Sequence, residues 1–339
     1  MKKRRSLLCV LALCLGLLFL FGCSNPSGGG TEGPGSPEDT PAADLMSPAD
    51  PVTFPSDAIR SPAAKWEQYC HIEGGVFIEG LNFAPDRTTL WVIDPAAHNI
   101  YRVVDGEAET VFHDETCMPN GAKFIDETTL LITDRARGLC KFDTETLEYT
   151  DFVTSFNGVN FLGPNDLVLD GQGGAYFTDP GSSTYTNPNG SVYYVNYSAE
   201  TPALQIVETG IAYPNGITLS PDGTMLYVAE FNSNSILCVP SLTYGSGPVT
   251  TYLLGSMSGG HGPDGLTIDT EGNIYAAHLE AGEVVVFSPG GYVVDTIRMP
   301  AGAGIFTDNL ILHDGYLYVC EFGQSIVWRI PVNTSGGEV

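Results

Sequence analysis

A motif that recurs six times constrains the fold of this chain more than any other feature. Each copy has a polar residue, then a small or polar residue, then an apolar run suited to a β-strand. The six polar residues are Glu79, Asn120, Asn165, Asn215, Asp264 and Asp308. Their spacings of 41, 45, 50, 49 and 44 residues are typical of architectures that repeat one small sheet.

A second apolar run follows each motif and also ends in a polar residue, 13 to 15 positions after the first. These strand-end residues are Asp94, Asp134, Asp179, Glu230, His278 and Glu321. Turn sequences such as Pro221-Asp222-Gly223 separate the two runs and supply the positive φ that a hairpin needs. A third strand follows in each repeat, so every unit predicts a small antiparallel sheet.

Six such units, each too small to hold a core alone, predict an all-β fold, a six-bladed β-propeller over residues 63–334. The sixth unit runs out of chain soon after Ile330. We therefore expect residues 65–77 to supply its outer strand and close the ring, which removes an open sheet edge. A pair of β-sandwiches is the alternative fold. Residues 335–339 are predicted to be a tail that follows the propeller.

In a propeller the first strand of each blade lines the central channel, so the six repeated polar residues predict a ring at one mouth. All six carry oxygen ligands, and none is His or Cys. Converging carboxylates repel one another and are poorly solvated unless a cation compensates them. Such a ligand set favours calcium or another hard divalent cation. The alternative is that these residues only make turns before strands.

The strand-end residues are expected at the same mouth, where most of them would cap loops by accepting backbone N–H bonds. His278 differs from the other five and shares a blade with Asp264. A His beside a carboxylate at a metal site can relay protons. We therefore treat His278 as a candidate catalytic or substrate-binding residue, and a place in the pocket wall stays open.

The net charge excludes one class of partner. The chain has 14 basic and 40 acidic residues, and residues 1–22 contain four of the basic ones and none of the acidic ones. The remaining 10 basic and 40 acidic residues give −30. A surface this acidic repels phosphate backbones, so we expect no nucleic-acid partner.

The first 62 residues are predicted to be a targeting signal followed by a flexible linker. Lys2-Lys3-Arg4-Arg5 precedes an apolar run from Leu7 to Phe21, too short for the roughly 20 residues of a spanning helix. The end of this run, Leu20-Phe21-Gly22-Cys23, resembles the lipobox of bacterial lipoproteins. This resemblance implies a signal peptide over 1–22, lipidation of Cys23, and anchoring at a bacterial cell surface or periplasmic face. A plain secretory signal or an uncleaved anchor is the alternative, and residues 23–62 are a flexible linker.

Several motifs in the repeats resemble the gluconolactonase / senescence-marker-protein (regucalcin) family. They are Glu79-Gly80, Gly163-Pro164-Asn165-Asp166, Tyr213-Pro214-Asn215-Gly216 and Gly262-Pro263-Asp264-Gly265. The resemblance implies one catalytic calcium held by Glu79, Asn165, Asn215 and Asp264, with Asp264 also acting as base or nucleophile. A second metal site of some relatives corresponds here to Thr267 and Ile311, which makes a second ion unexpected.

The residues and the resemblance together predict a surface-tethered, monomeric, calcium-dependent hydrolase of lactones or related esters. Calcium would serve as a Lewis acid in the channel, and Asn120, Asp308 and His278 would border the substrate. Phosphotriester hydrolysis would use the same site. The competing hypothesis is a non-catalytic lipoprotein propeller that binds a sugar, a peptide or a protein.

Overall fold

Four-stranded antiparallel sheets dominate the computed structural model, which describes residues 59–245 and 247–336. Blade 1 contains β2 (Glu79–Phe83), β3 (Leu90–Asp94), β4 (Asn99–Val104) and β5 (Glu107–His113), and blade 2 contains β6 (Pro119–Phe124), β7 (Thr129–Asp134), β8 (Gly138–Asp143) and β9 (Tyr149–Val153). A hairpin of β10 (Ser155–Phe156) and β11 (Val159–Asn160) precedes blade 3, which contains β12 (Leu167–Leu169), β13 (Gly174–Asp179), β14 (Gly190–Asn196) and β15 (Ala203–Ile211).

The second half of the described chain repeats this plan. Blade 4 contains β16 (Pro214–Leu219), β17 (Met225–Glu230), β18 (Ser235–Pro240) and β19 (Tyr252–Ser256), and blade 5 contains β20 (Gly262–Ile268), β21 (Ile274–Leu279), β22 (Glu283–Phe287) and β23 (Val293–Arg298). Blade 6 contains β24 (Thr307–His313), β25 (Tyr316–Glu321), β26 (Ile326–Pro331) and, from the other end of the chain, β1 (Glu67–His71). Two 3₁₀ turns, Phe231–Ser233 and Leu242–Tyr244, lie in blade 4.

The predicted six-bladed propeller, closed by an N-terminal strand, is confirmed. The closing strand β1 lies within the predicted 65–77 segment and pairs antiparallel with β26, Glu67 opposite Arg329. The two side chains form an ion pair of 3.0 Å, and the Arg329 guanidinium lies over the Tyr69 ring at 5.2 Å. An exposed ion pair stabilises little, so the strand is held mainly by its backbone ladder and aromatic packing.

The hydrophobic core is divided into layers between neighbouring blades. Blades 4 and 5, for example, share a layer in which Ile236 packs with Ile268 and Ile274. Along β16 and β21, for example, every residue is buried, because a blade is covered on each side by its neighbours. Each blade therefore depends on the next for its burial, as the repeat pattern predicted.

The first strands approach one another closely around the channel. At Gly216 a Cβ atom would lie 2.3 Å from the carbonyl oxygen of Asp264 in the next blade. No side chain fits at that distance, so the glycine after Asn215 is required for blades 4 and 5 to meet. This close approach brings the repeated polar residues of adjacent blades together.

Several predictions concern residues outside the described part. The predicted signal peptide over 1–22, the predicted lipidation site Cys23 and linker residues 24–58 all lie there. The described part of the chain contains no apolar helix of membrane-spanning length. Its five cysteines are all free thiols. Val327 lies between Cys70 and Cys320 in the sheet, so these two are too far apart to form a disulfide.

Candidate functional site

Five of the six repeated polar residues lie within the first three residues of a first strand, and Asn165 lies two residues before β12. We call all six the channel ring: Glu79, Asn120, Asn165, Asn215, Asp264 and Asp308. Every one of these residues is buried. Each first strand contacts the next, and β24 contacts β2, so the circle is closed. The predicted arrangement at one mouth of a central channel is therefore present.

Threonines of the second strands fix part of this ring from the neighbouring blade. Thr133 of blade 2 donates its Oγ1 hydrogen to the carbonyl oxygen of Asn165 in blade 3, at 2.5 Å. Thr178 of blade 3 makes the same bond to the carbonyl oxygen of Asn215 in blade 4, at 2.7 Å. The backbone that carries each amide is thus held across a blade boundary, which limits its movement.

The carboxyl groups of the ring lie within electrostatic reach of one another. Burial raises the pKa of Glu79 well above its usual value, and the charges of Asp264 and Asp166 raise it further. The pKa of Asp308 is raised by burial and then by Glu79 and Asp264. For Asp264, burial and Asp166 raise the pKa to about 8, although Asn215 and Arg135 oppose the shift. Such a group of acids is stable in charged form only with a cation.

One oxygen of the ring has no donor in the described structure. Asp308 is completely buried, and its Oδ1 accepts a hydrogen bond from the Asn309 amide at 2.9 Å. Its Oδ2 is buried and has no hydrogen-bond partner. A buried carboxylate oxygen without a donor is costly, and a positive ion would satisfy it.

The donor chemistry fits a hard cation that accepts amide oxygens. Among the described residues, no three His, Cys, Asp or Glu side chains form a metal-binding group by themselves. Two carboxylates of the predicted set, Glu79 and Asp264, would therefore need the amide oxygens of Asn165 and Asn215. Mixed carboxylate and amide ligation is characteristic of calcium.

The strand-end residues lie at the same mouth but have backbone partners. Asp94 accepts hydrogen bonds from the amides of Val76, Phe77, Ala96 and Ala97, at 2.7 to 3.1 Å. Asp134, Asp179, Glu230 and Glu321 accept similar bonds from the loops that precede their blades. These acids therefore hold loops in place, as expected for most of them.

His278 belongs to this second set by its contacts. It is fully buried, its Nε2 lies 3.0 Å from the carbonyl oxygen of Gly259, and its Nδ1 lies 3.4 Å from Glu283. The register places it opposite Pro263 rather than Asp264. Both ring nitrogens face groups of the protein, so the geometry favours a role in holding the 258–261 loop over contact with a substrate.

Three residues near the ring were missed by the sequence reasoning. Asp166 and Asn309 occupy the position where the other four repeats have glycine. This departure from the repeat could have identified both residues from the sequence. Their side chains reach the next blade, where Asp166 accepts from the Ile217 amide and Asn309 from the Leu81 amide, both at 3.3 Å. The third, Arg135, follows a strand-end acid and had no repeated pattern to mark it.

Comparison with known proteins agrees with the motifs. A model of the SMP-30/gluconolactonase/LRE-like region matches residues 77–307. The chain belongs to this family. The match covers the channel ring from Glu79 to Asp264 and ends one residue before Asp308, and it supports a hydrolase of the lactonase type at the level of the family.

Relatives within the SMP-30/gluconolactonase family carry lactonase names. The chain is 30% identical to a gluconolactonase of Zymomonas mobilis over 241 residues, which are 65% of this chain and 67% of the relative. It is also 30% identical to the lactonase drp35 of Staphylococcus aureus strain MW2 over 281 residues, 78% of this chain and 82% of the relative.

Solved structures of a gluconolactonase and a regucalcin have the same fold as this chain. A gluconolactonase from Xanthomonas campestris aligns with a TM-score of 0.70 at 21% identity, covering 83% of this chain and 94% of that one. A regucalcin from Agrobacterium tumefaciens, described as a calcium-binding protein, aligns with a TM-score of 0.63 at 21% identity, covering 78% and 92%. At these identities the alignments establish the propeller fold.

Proposed function

We propose that the protein is a calcium-dependent hydrolase of lactones or related esters, held at a bacterial surface by a lipid on Cys23. The observation that carries the proposal is the burial of three carboxylates and three amides around one channel, where an ion held by part of the ring would also compensate the charge of Asp308, whose Oδ2 has no donor. Family membership supports the lactonase class. The anchor depends on the lipobox-like sequence alone.

The residues proposed to hold the ion are Glu79, Asn165, Asn215 and Asp264. The chemistry supplied by a bound calcium ion is Lewis-acid polarisation of the substrate carbonyl. Asn120 and Asp308 complete the ring and are proposed to face the substrate. Because Thr133 and Thr178 hold the backbone of the two ligating amides, the ring is organised before substrate arrives.

Asp264 is the proposed base or nucleophile. Asn215 donates a hydrogen bond to its carboxylate and Arg135 lies within electrostatic reach, and both favour the charged form that either role requires. As a base it would take a proton from water while the water oxygen bonds to the acyl carbon. As a nucleophile it would bond to that carbon itself, and water would then cleave the anhydride between Asp264 and the acyl group. On either route the bond from acyl carbon to ring oxygen breaks. That oxygen takes its proton from the protonated Asp264 on the base route and from water on the nucleophile route.

The test is a panel of lactones, aryl esters and phosphotriesters, assayed with purified protein in calcium and again after chelation. We expect lactone turnover that chelator abolishes and calcium restores. Phosphotriester turnover of comparable rate would widen the substrate class. If no substrate reacts while calcium raises the melting temperature, the ring is a metal site of a binding protein, and the hydrolase proposal fails.

A further inference from the structure

Blade 2 has a positively charged side chain at the rim of the channel, at a position where the other five blades have an uncharged one. The residue after the strand-end position is Arg135 in blade 2, whereas the other blades have Pro95, Pro180, Phe231, Leu279 and Phe322 there. The backbone amide of Arg135 donates to the carbonyl oxygen of Met118 at 2.9 Å. Since Met118 lies just before β6, this bond fixes the root of the Arg135 side chain at the mouth.

The side chain then reaches a residue two blades away. The Arg135 Nη2 donates a hydrogen bond to the Tyr213 hydroxyl at 3.0 Å, and Tyr213 lies two residues before Asn215 of the channel ring. Blade 3 stands between blades 2 and 4, so the guanidinium crosses its entrance. The half-buried charge of Arg135 is therefore held beside the ring.

Tyr213 is held in a conformation that a tyrosine rarely adopts. Its φ is +66°, in the left-handed region that favours glycine. A non-glycine residue is strained in this conformation and persists there only where the surroundings hold it. Those surroundings are aromatic: the Phe231 ring lies 5.7 Å from the buried Tyr213 ring and stacks on His261 at 4.7 Å. The hydroxyl that binds Arg135 is thus preorganised.

The placement has an electrostatic consequence. Burial raises the pKa of Asp179, the strand-end carboxyl group of blade 3, and the charge of Arg135 opposes this rise, in agreement with a guanidinium that crosses the blade 3 entrance. The protein as a whole has a net charge of −26 and repels anions. A planar guanidinium fixed at the mouth offers local compensation and matches the geometry of a carboxylate.

We propose that Arg135, positioned by Tyr213, binds a carboxylate or similar anionic substituent of the substrate, so that the site prefers lactones that carry a negative charge. The inference rests on the proposed lactonase function and adds the substrate class. Arg135 is then the residue that determines this specificity, and Tyr213 is a positioning residue.

The experiment compares γ-butyrolactone with the same lactone carrying a carboxylate on its γ carbon, using calcium-loaded protein. The readout is the ratio of kcat/KM for the charged lactone to that for the neutral one. We expect a ratio of about ten or more in the wild type, since a charge-assisted pair contributes about 1.5–3 kcal/mol. Arg135→Met should lower the ratio about tenfold, through KM for the charged lactone, and Tyr213→Phe should lower it less.

The matched control is Arg137→Met, which removes the same charge from the same strand end. Arg137 is bonded to Asp151 at 2.6 Å rather than to the rim of the channel, so its loss should leave the ratio at the wild-type value. The proposal would be overturned if the wild type preferred the neutral lactone. It would also be overturned if Arg135→Met lowered kcat/KM equally for both lactones.

Failure of the lactonase function is distinguishable from failure of this inference. If the wild type hydrolyses neither lactone, titration calorimetry with 2-hydroxyglutarate, the product of the charged lactone, measures the same contact without turnover. Binding that Arg135→Met weakens about tenfold and Arg137→Met does not would support the anion site. Equal affinity for wild type and Arg135→Met, or no binding by either, would refute it.

Discussion

Two sets of largely buried polar residues lie at the same mouth of this propeller and differ in what their oxygens contact. The strand-end residues face loop backbone: Asp94 alone accepts four amide hydrogens. The channel ring faces its own members, and Asp308 Oδ2 accepts none. Both sets contain buried carboxyl groups, five acids in the strand-end set and three in the ring, and only Glu230 is partly exposed. Burial and charge alone therefore do not distinguish a structural carboxylate from one that faces a ligand. The hydrogen-bond donors around each oxygen make this distinction.

The largest contrast is expected between the Asp264→Asn and Asp94→Asn variants. Asp264→Asn removes the proposed base or nucleophile, so kcat for a lactone should fall about a thousandfold. Its melting temperature in chelator should not fall, because an amide at this position never has to ionise in a buried site close to Asp166. Kinetics and thermal unfolding measure the two effects. Unchanged kcat would exclude the role of Asp264.

Asp94→Asn should show the reverse. An amide cannot accept all of the backbone bonds that Asp94 accepts, so unfolding free energy should fall by about 2–4 kcal/mol. The kcat of the folded fraction should stay close to that of the wild type. A variant at Asp94 that loses turnover without losing stability would erase the distinction between the two sets.

The second prediction uses pH to sharpen the comparison. In the metal-free protein the pKa of Asp264 is raised from 3.8 to about 8 by burial and then by Asp166. Between these values the folded state binds more protons than the unfolded state, so stability decreases as pH rises through that window. Thermal unfolding in chelator should therefore show a melting temperature that falls from pH 5 to pH 8.

Calcium should counteract this decrease, because binding replaces the protons that the ring would otherwise retain. The calcium-induced rise in melting temperature should grow with pH over the same window. Asp308→Asn is the matched variant: it should raise the metal-free melting temperature and flatten its slope with pH. If the metal-free melting temperature instead rose with pH, the charges of the ring carboxyl groups would be balanced by other groups of the protein rather than by a metal ion.

The smallest effect is expected at His278. Its Nε2 and Nδ1 lie against Gly259 and Glu283, so His278→Gln should cost about 1–2 kcal/mol of unfolding free energy. Turnover should change by less than about threefold, with no shift in the pH dependence of kcat. A loss of about a hundredfold or more in kcat would instead place His278 in the chemistry.

Most of the fold could be predicted because it repeats. One motif at a period near 45 residues sets the blades, and its register places the channel ring at one mouth. Predicting His278 was harder, since position along a strand does not state which groups its ring nitrogens meet. Arg135, Asp166 and Asn309 act across blade boundaries. Their reach depends on how one blade stacks on the next, which periodicity within a single chain does not encode.

The closing strand has a consequence for how the protein folds. Glu67 and Arg329, which face each other in blade 6, are 262 positions apart along the chain. Bringing such distant segments together costs conformational entropy before their contacts compensate it, so we expect the pairing of β1 with β26 to form late in folding. Until it forms, both strands present an unpaired edge that another chain could join. The yield of the closed ring should therefore depend on how well these two edges are protected while the other five blades assemble.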